Sequence, residues 1–228
     1  MKYFSDFINI VFPKYCLNCY SRLRKTEIVL CTNCADSLKF IGQKVCPKCG
    51  SFLFEKTSHN CDFAFDAARS VFQFDETLRN LIHHFKYEEM KKLGEFLGKY
   101  AADFLEKEHF AAADIIAPVP LHKVKKRARG FNQSEILTRH IAKIIDCEHI
   151  PELIQRKKFT QTQTKLSRQQ REKNVKDAFN VNAKYEVTNR KILLVDDVFT
   201  TGSTVNSISK VLKEAGASKI FVLTIARA

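Results

Sequence analysis

Two adjacent carboxylates followed by a hydroxyl-rich turn are the residues most able to do chemistry: Asp196 and Asp197, then Val198-Phe199-Thr200-Thr201-Gly202-Ser203-Thr204. They follow a continuously apolar run, Ile192 to Val195, that begins after Lys191. Such a run reads as a strand buried on both faces, as in a parallel sheet covered by helices. The carboxylates would emerge at the carboxyl edge of that strand, where open α/β sheets hold their ligands. Thr200, Thr201, Ser203 and Thr204 can donate hydroxyl hydrogen bonds, and Gly202 lets the backbone approach an anion closely. Val205, Ile208, Leu212 and Ala215 follow at helical spacing, so a helix would aim free N–H groups and its positive dipole end into the same loop. This arrangement predicts a phosphate in the loop and ribose hydroxyls or a hard divalent cation on the carboxylates. For Asp-Asp alone, an acidic turn that simply caps a helix is the competing reading.

The full run V-D-D-V-x-T-T-G-S-T is more specific than its parts. It resembles the phosphoribosyl pyrophosphate (PRPP) loop of type I phosphoribosyltransferases. That resemblance implies that Asp196 and Asp197 contact the ribose 2- and 3-hydroxyls, while Thr200, Thr201, Gly202, Ser203 and Thr204 wrap the 5-phosphate and Val198 belongs to the same binding loop.

A second chemistry sits in the first third of the chain. Six cysteines form three CxxC pairs, Cys16/Cys19, Cys31/Cys34 and Cys46/Cys49, and Cys61 follows. A CxxC knuckle brings two thiolates to one metal, and two knuckles complete a tetrahedral Zn²⁺ site. Disulfides fit poorly with a chain that shows no secretion signal. Cys16, Cys19, Cys31 and Cys34 make one complete set; Cys46, Cys49 and Cys61 leave a second one ligand short, with His59 as the candidate. The spacing equally admits interleaved pairing of the knuckles. So small a domain carries little core, so structural zinc would supply its folding free energy. Cys147 stands apart and reads as a small buried hydrophobe.

Phe4, Phe7, Ile8, Val11 and Phe12 form an apolar stripe interrupted by Asp6, an amphipathic helix rather than a signal peptide, and no apolar run approaches a membrane span. The reading is a soluble, cytoplasmic protein. Its 38 Lys and Arg against 25 Asp and Glu give a formal charge of +13, which suits polyanionic partners or phosphorylated substrates as well as a plain solvated basic surface.

Residues 67 to 228 read as an α/β unit: a strand from Ala67 to Phe74, helices marked by Leu78, Leu81, Ile82, Phe85 and by Leu93, Phe96, Leu97, Tyr100, Phe104, and a strand from Asp114 to Val119. A basic turn follows, His122 to Gly130, then a helix with Asn132 as N-cap. In that turn Lys123, Arg127 and Arg129 can neutralise pyrophosphate or grip a nucleic-acid backbone. A second basic stretch, Arg156 to Lys176, has no clean apolar period in its first half and reads partly as a loop. Strand character returns at Ala178 to Val181, and the last strand spans Ile220 to Ala226.

The Cys-rich start, Pro118-Val119-Pro120-Leu121, Arg129-Gly130-Phe131-Asn132-Gln133, the run Gln163 to Leu166 with Arg171, Asn174, Ala178 and Phe179, and the Asp-Asp loop together resemble the ComF family of competence proteins across essentially the whole chain. The resemblance implies a zinc-ribbon domain over residues 1 to 66 and a type I phosphoribosyltransferase-like parallel sheet with flanking helices over 67 to 228. It also implies PRPP with Mg²⁺ as ligand, catalytic Asp196, Asp197 and Arg129, and a role in natural transformation. Its partners would be incoming single-stranded DNA, a competence helicase and other DNA-uptake proteins. The lone Cys61, where that family would supply a further cysteine pair, is the one departure.

Overall fold

Apolar runs too short for helices, alternating with amphipathic segments, lead to a parallel sheet with crossover helices. The computed structural model describes residues 13–42, 44–53, 61–87, 91–107, 112–157 and 178–228. Its strands are β1 (Ala67–Gln73), β2 (Ile115–Pro118), β3 (Glu148–His149), β4 (Ile154–Arg156), β5 (Phe179–Val181), β6 (Lys191–Phe199) and β7 (Lys219–Arg227). Its helices are α1 (Thr32–Asp36), α2 (Glu76–Tyr87), α3 (Lys91–Lys107), α4 (Lys123–Arg129), α5 (Gln133–Ile145) and α6 (Ser203–Glu214). The amphipathic stripe at Phe4 to Phe12, His59 and the basic residues from Lys158 to Lys176 lie outside the described residues.

Five strands make one sheet in the order β1-β7-β6-β2-β3, and every neighbouring pair is parallel. From β2 the chain crosses outward to β3, whereas from β6 it crosses the opposite way to β7. The order therefore reverses between β2 and β6, and the crevice beyond their carboxyl ends is the topological switch point where such sheets take ligands. Period-two alternation splits the core. Leu193, Val195, Leu223 and Ile225 pack under α2, α3 and α5, while Ile192, Leu194, Ile220 and Val222 pack under α6 and the antiparallel pair β4–β5.

Two sequence expectations are corrected. The expected strand end at Val195 is too early, because β6 runs on to Phe199, held by β7 through the pairs Asp196↔Thr224 and Val198↔Ala226 after β2 has stopped at Pro118↔Val195. The basic turn at 122–130 is mostly the helix α4: His122 Nδ1 accepts from Val124 N, and Gly130 N–H closes the helix on the Lys126 carbonyl. Lys and Arg are good helix formers, and the absence of an apolar stripe hid the element.

The cysteine region repeats itself. Lys14 to Ser21 and Lys44 to Ser51 fold alike: Tyr20 N bonds Cys16 O as Gly50 N bonds Cys46 O, and both turns end at a positive φ, 58° at Tyr20 and 71° at Gly50. These knuckles do not stand off from the sheet. Ile41 N donates to Val71 O, Gln73 N to Lys39 O and Ala68 N to Lys48 O, so ribbon segments cover the outer edge of β1 that would otherwise be an exposed template for pairing. Asp66, at the expected domain boundary, already bonds β7 through Asp66 N to Ile220 O and Ile220 N to Asp66 Oδ2, each 2.8 Å.

Candidate functional site

Asp196 is the first residue of β6 beyond the end of β2, and the strand's alternation sends the two carboxylates to different partners. Asp196 Oδ1 accepts from Ser134 Oγ (3.0 Å), at the start of α5, and from Asp197 N (2.9 Å). Asp197 Oδ2 lies 2.5 Å from Lys86 Nζ, near the end of α2, with side chains 16% and 28% exposed respectively. Burial, and next the negative charge of Asp197, push the Asp196 carboxyl up to about 7.

A carboxyl whose pKa is higher in the fold than in the unfolded chain favours the native state most when protonated. Its contribution is therefore fully present below about pH 4 and is lost as pH rises to about 7. The difference in unfolding free energy between Asp196→Asn and the wild type is expected to grow in favour of Asn over that window, by on the order of 1–4 kcal/mol. Denaturant titrations of both proteins at pH 5 and 7.5 measure it; a pH-independent difference would place an ordinary carboxylate at Asp196.

Beyond Phe199 the chain turns through Thr200 and Thr201 into Gly202, which stands at the N-cap of α6 with φ 73° and supplies no side-chain cap. The first N–H groups of α6 thus have no cap from Gly202; that of Ser203 donates to Thr201 Oγ1 (3.4 Å), and those after it face the loop and whatever enters it. Thr201 Oγ1 and Ser203 Oγ share a hydrogen bond, which sets the hydroxyls side by side. A Cβ on Gly202 would meet Phe199 Cζ at 2.6 Å and Phe63 Cε1 at 3.1 Å. Gly202→Ala is expected to cost about 1–3 kcal/mol of stability, measured by thermal or urea unfolding, because both φ and space forbid the methyl. An unchanged midpoint would contradict the left-handed turn.

The motif Arg129 to Ser134 is a joint between the helices and the carboxylates. Asn132 is the expected N-cap: its Oδ1 accepts from Ser134 N, and its Nδ2 donates to Val119 O at the end of β2. Gln133 accepts from Arg129 Nη1 (2.6 Å) and donates to Lys86 O (3.4 Å), which ties α4 and α5 to the end of α2. On α4 the positive charges divide. Lys125 and Arg129 are half-buried, and Lys125 is held below the usual lysine range by burial first and then by Arg156, Arg129 and Lys86; Arg156 also feels Asp196. Lys123 and Arg127, one turn apart on another stripe, are exposed. Mutually repelling cations beside two carboxylates suit a polyanion that also carries hydroxyls.

No motif of the sequence singles out Lys86, Lys125, Ser134 or Arg156 as site residues. Asn132 as an N-cap was the one available signal for Ser134, since it places that residue in the first turn of α5 facing the sheet edge.

The cysteines resolve into two groups. The sulfurs of Cys16, Cys19, Cys31 and Cys34 converge, as do those of Cys46, Cys49 and Cys61, all within 4.8 Å of one another in each group. The pairing is therefore sequential rather than interleaved. Sulfurs on a tetrahedral Zn²⁺ with bonds of about 2.3 Å stand roughly 3.8 Å apart. Cys19–Cys31 at 3.6 Å, Cys46–Cys61 at 3.5 Å and Cys49–Cys61 at 3.3 Å fit that geometry. Burial, then Cys49 and Cys46, push the Cys61 thiol up to about 12, so that thiol holds its proton unless a cation replaces it. Cys147, half-buried, donates to Ala113 O and plays no part in either group.

These features define a phosphoribosyltransferase-type α/β protein bearing a double zinc ribbon. Accordingly, residues 7–64 match the double zinc ribbon domain family and residues 132–228 the phosphoribosyl transferase domain family. The chain is 32% identical to competence protein F of Haemophilus influenzae, covering 93% of this chain and 96% of that protein. It is 29% identical to the DNA utilization protein YhgH of Escherichia coli (94% and 97%) and 25% identical to the competence protein ComFC of Streptococcus pneumoniae (90% and 90%). Among solved structures it is similar to glutamine PRPP amidotransferase of B. subtilis, at 19% identity, TM-score 0.42, 62% of this chain and 30% of that one. The chain belongs to the ComF family of competence proteins. None of its described helices is long and apolar enough to cross a membrane.

Proposed function

We propose that this protein binds PRPP or a related phosphoribosyl ligand at the β2/β6 switch point and acts in natural transformation, handling incoming single-stranded DNA. One observation carries the site: a carboxylate pair and a helix N-terminus with no cap from Gly202 lie at the two ends of one short loop, Asp196 to Ser203, with cations of α2, α4 and β4 beside the same crevice. Asp196 and Asp197 take the ribose 2- and 3-hydroxyls, and residues Thr200 to Thr204 take the 5-phosphate. Arg129, Lys125 and Lys86 face the pyrophosphate, with Lys123 and Arg127 at its rim. Asp196 and Asp197 are the residues that would help hold Mg²⁺ together with the pyrophosphate, where it would offset the charge of the leaving group.

Turnover would break the bond between ribose C1 and the pyrophosphate oxygen and pass the ribose to a base or amine acceptor. The chain's own residues would then position the sugar and stabilise the departing charge rather than form a covalent bond. Calorimetric titration with PRPP, with and without Mg²⁺, tests the reading: magnesium-dependent binding supports it, and no binding under either condition overturns it.

A second reading is favoured by the exposed stripe Lys123 and Arg127 together with the net charge of +13: a phosphoribosyltransferase scaffold that binds nucleic acid without turnover. Single-stranded DNA binding that falls steeply with salt, alongside PRPP that is bound but never consumed, would select it.

A further inference from the structure

The two cysteine groups touch different parts of the α/β unit. The first abuts α2, where Asn18 Nδ2 donates to Cys34 Sγ and to Thr77 Oγ1, and Asn80 Nδ2 donates to Asn18 Oδ1. The second leads to the phosphate loop by two routes. From Cys61 the chain passes at once to Phe63, whose ring stacks on Phe65 (centroids 4.7 Å apart, 15° between planes) and meets Phe199 edge-on at 6.4 Å. The Gly202 Cβ direction points into the contact between Phe63 and Phe199. Next to Phe63, Ala64 N donates to Asn206 Oδ1 (2.7 Å), and Asn206 N in turn bonds Gly202 O (2.8 Å), clasping the first turn of α6.

The other route starts at the knuckle itself. Arg227, the last residue of β7 and the register partner of Phe199, donates from Nη1 to Cys49 O (2.8 Å) and from Nη2 to Ser51 Oγ (2.6 Å). Its guanidinium lies 4.5 Å from the centroid of the Phe199 ring. Both routes end on the two rings that enclose Gly202, the residue whose left-handed turn exposes the α6 N–H groups.

We propose that Phe63, Phe199 and Arg227 form a strut through which the second cysteine group, with its zinc, holds the phosphate loop in its anion-binding shape; the inference rests on the phosphoribosyl reading of that loop. These are positioning residues, since none reaches the ligand itself. A loop held in shape before the anion arrives binds it without an ordering cost, and a loop that has lost its backing does not.

The test uses the full-length protein and two separate probes in calorimetry, ribose 5-phosphate for the loop and inorganic pyrophosphate for the α4 cations. Phe63→Ala and Arg227→Met are expected to weaken ribose 5-phosphate about tenfold or more while leaving pyrophosphate unchanged, and Phe63→Tyr, which keeps the stacked ring, is expected to restore it. Cys61→Ser should lose one zinc by metal analysis and copy the ribose 5-phosphate loss, whereas Cys19→Ser in the first group should lose the other zinc and keep that affinity. Equal weakening of both probes would mean general loosening and would overturn the strut, as would variants that bind ribose 5-phosphate like the wild type. A wild type that binds neither probe would overturn the phosphoribosyl reading and the strut with it.

Discussion

Replacing Asp196 and Asp197 together by Asn is expected to abolish binding of a phosphoribosyl ligand while the protein stays folded. Each carboxylate would accept charge-assisted hydrogen bonds from ribose hydroxyls, worth about 1.5–3 kcal/mol apiece, so losing two charges weakens binding by about two orders of magnitude or more. Asn keeps the shape and one acceptor oxygen, so the bonds from Ser134 Oγ and Asp197 N can survive. The main structural loss is the Lys86 contact, and Lys86 is open enough to solvent to tolerate it. Calorimetry reports the affinity and circular dichroism the fold. A double variant that binds as well as wild type would remove the ribose role, and one that unfolds would make the pair structural instead.

The second large effect concerns the zinc ribbon. Chelating the metal from both cysteine groups is expected to lower the stability of the whole protein in one cooperative transition, by several kcal/mol. The reason is shared packing. Val29, Leu30 and Leu38 of the ribbon belong to the same apolar cluster as Phe72, Leu78 and Leu81, and Cys46 and Cys49 pack with Phe65, Ala68 and Val222. Losing the knuckles would also uncover the edge of β1, whose Val71 carbonyl and Ala68 and Gln73 amides bond to ribbon backbone. Differential scanning calorimetry with and without chelator checks this. A sheet that melts at an unchanged temperature after the ribbon has unfolded would contradict the coupling.

What the sequence revealed was local, and what it concealed was long-range. The V-D-D-V-x-T-T-G-S-T run declares its turn and helix start because each residue type has one local task, and Asn132 declares an N-cap for the same reason, whereas the end of the strand at Phe199 depends on β7 running on beside it. The CxxC spacing exposes metal ligands but leaves their pairing open, since that depends on how the chain folds back between Cys34 and Cys46. Lys86 carries no motif: it reaches Asp197 only because α2 ends above β6. Arg156 comes within reach of Asp196 only because β4 pairs with β5 beside the same crevice. Helix α4 looks like a turn in the sequence because its residues carry charge without an apolar stripe, and its half-buried face, Lys125 and Arg129, is defined only by the sheet edge beneath it. The link from the second knuckle to Gly202 could not be read either, because Arg227 is a charged residue at the end of a strand until its partners Cys49, Ser51 and Phe199 are known.

In the proposed site one loop of this chain holds a phosphate while the adjoining carboxylates hold a sugar. The most direct measurement is a crystal structure of the full chain with PRPP and Mg²⁺. The 5-phosphate is expected within hydrogen-bond distance of the Ser203 and Thr204 backbone N–H groups, with the ribose hydroxyls on Asp196 and Asp197. A phosphate seated only on the cations of α4, with the loop empty and Lys86 still on Asp197, would contradict it.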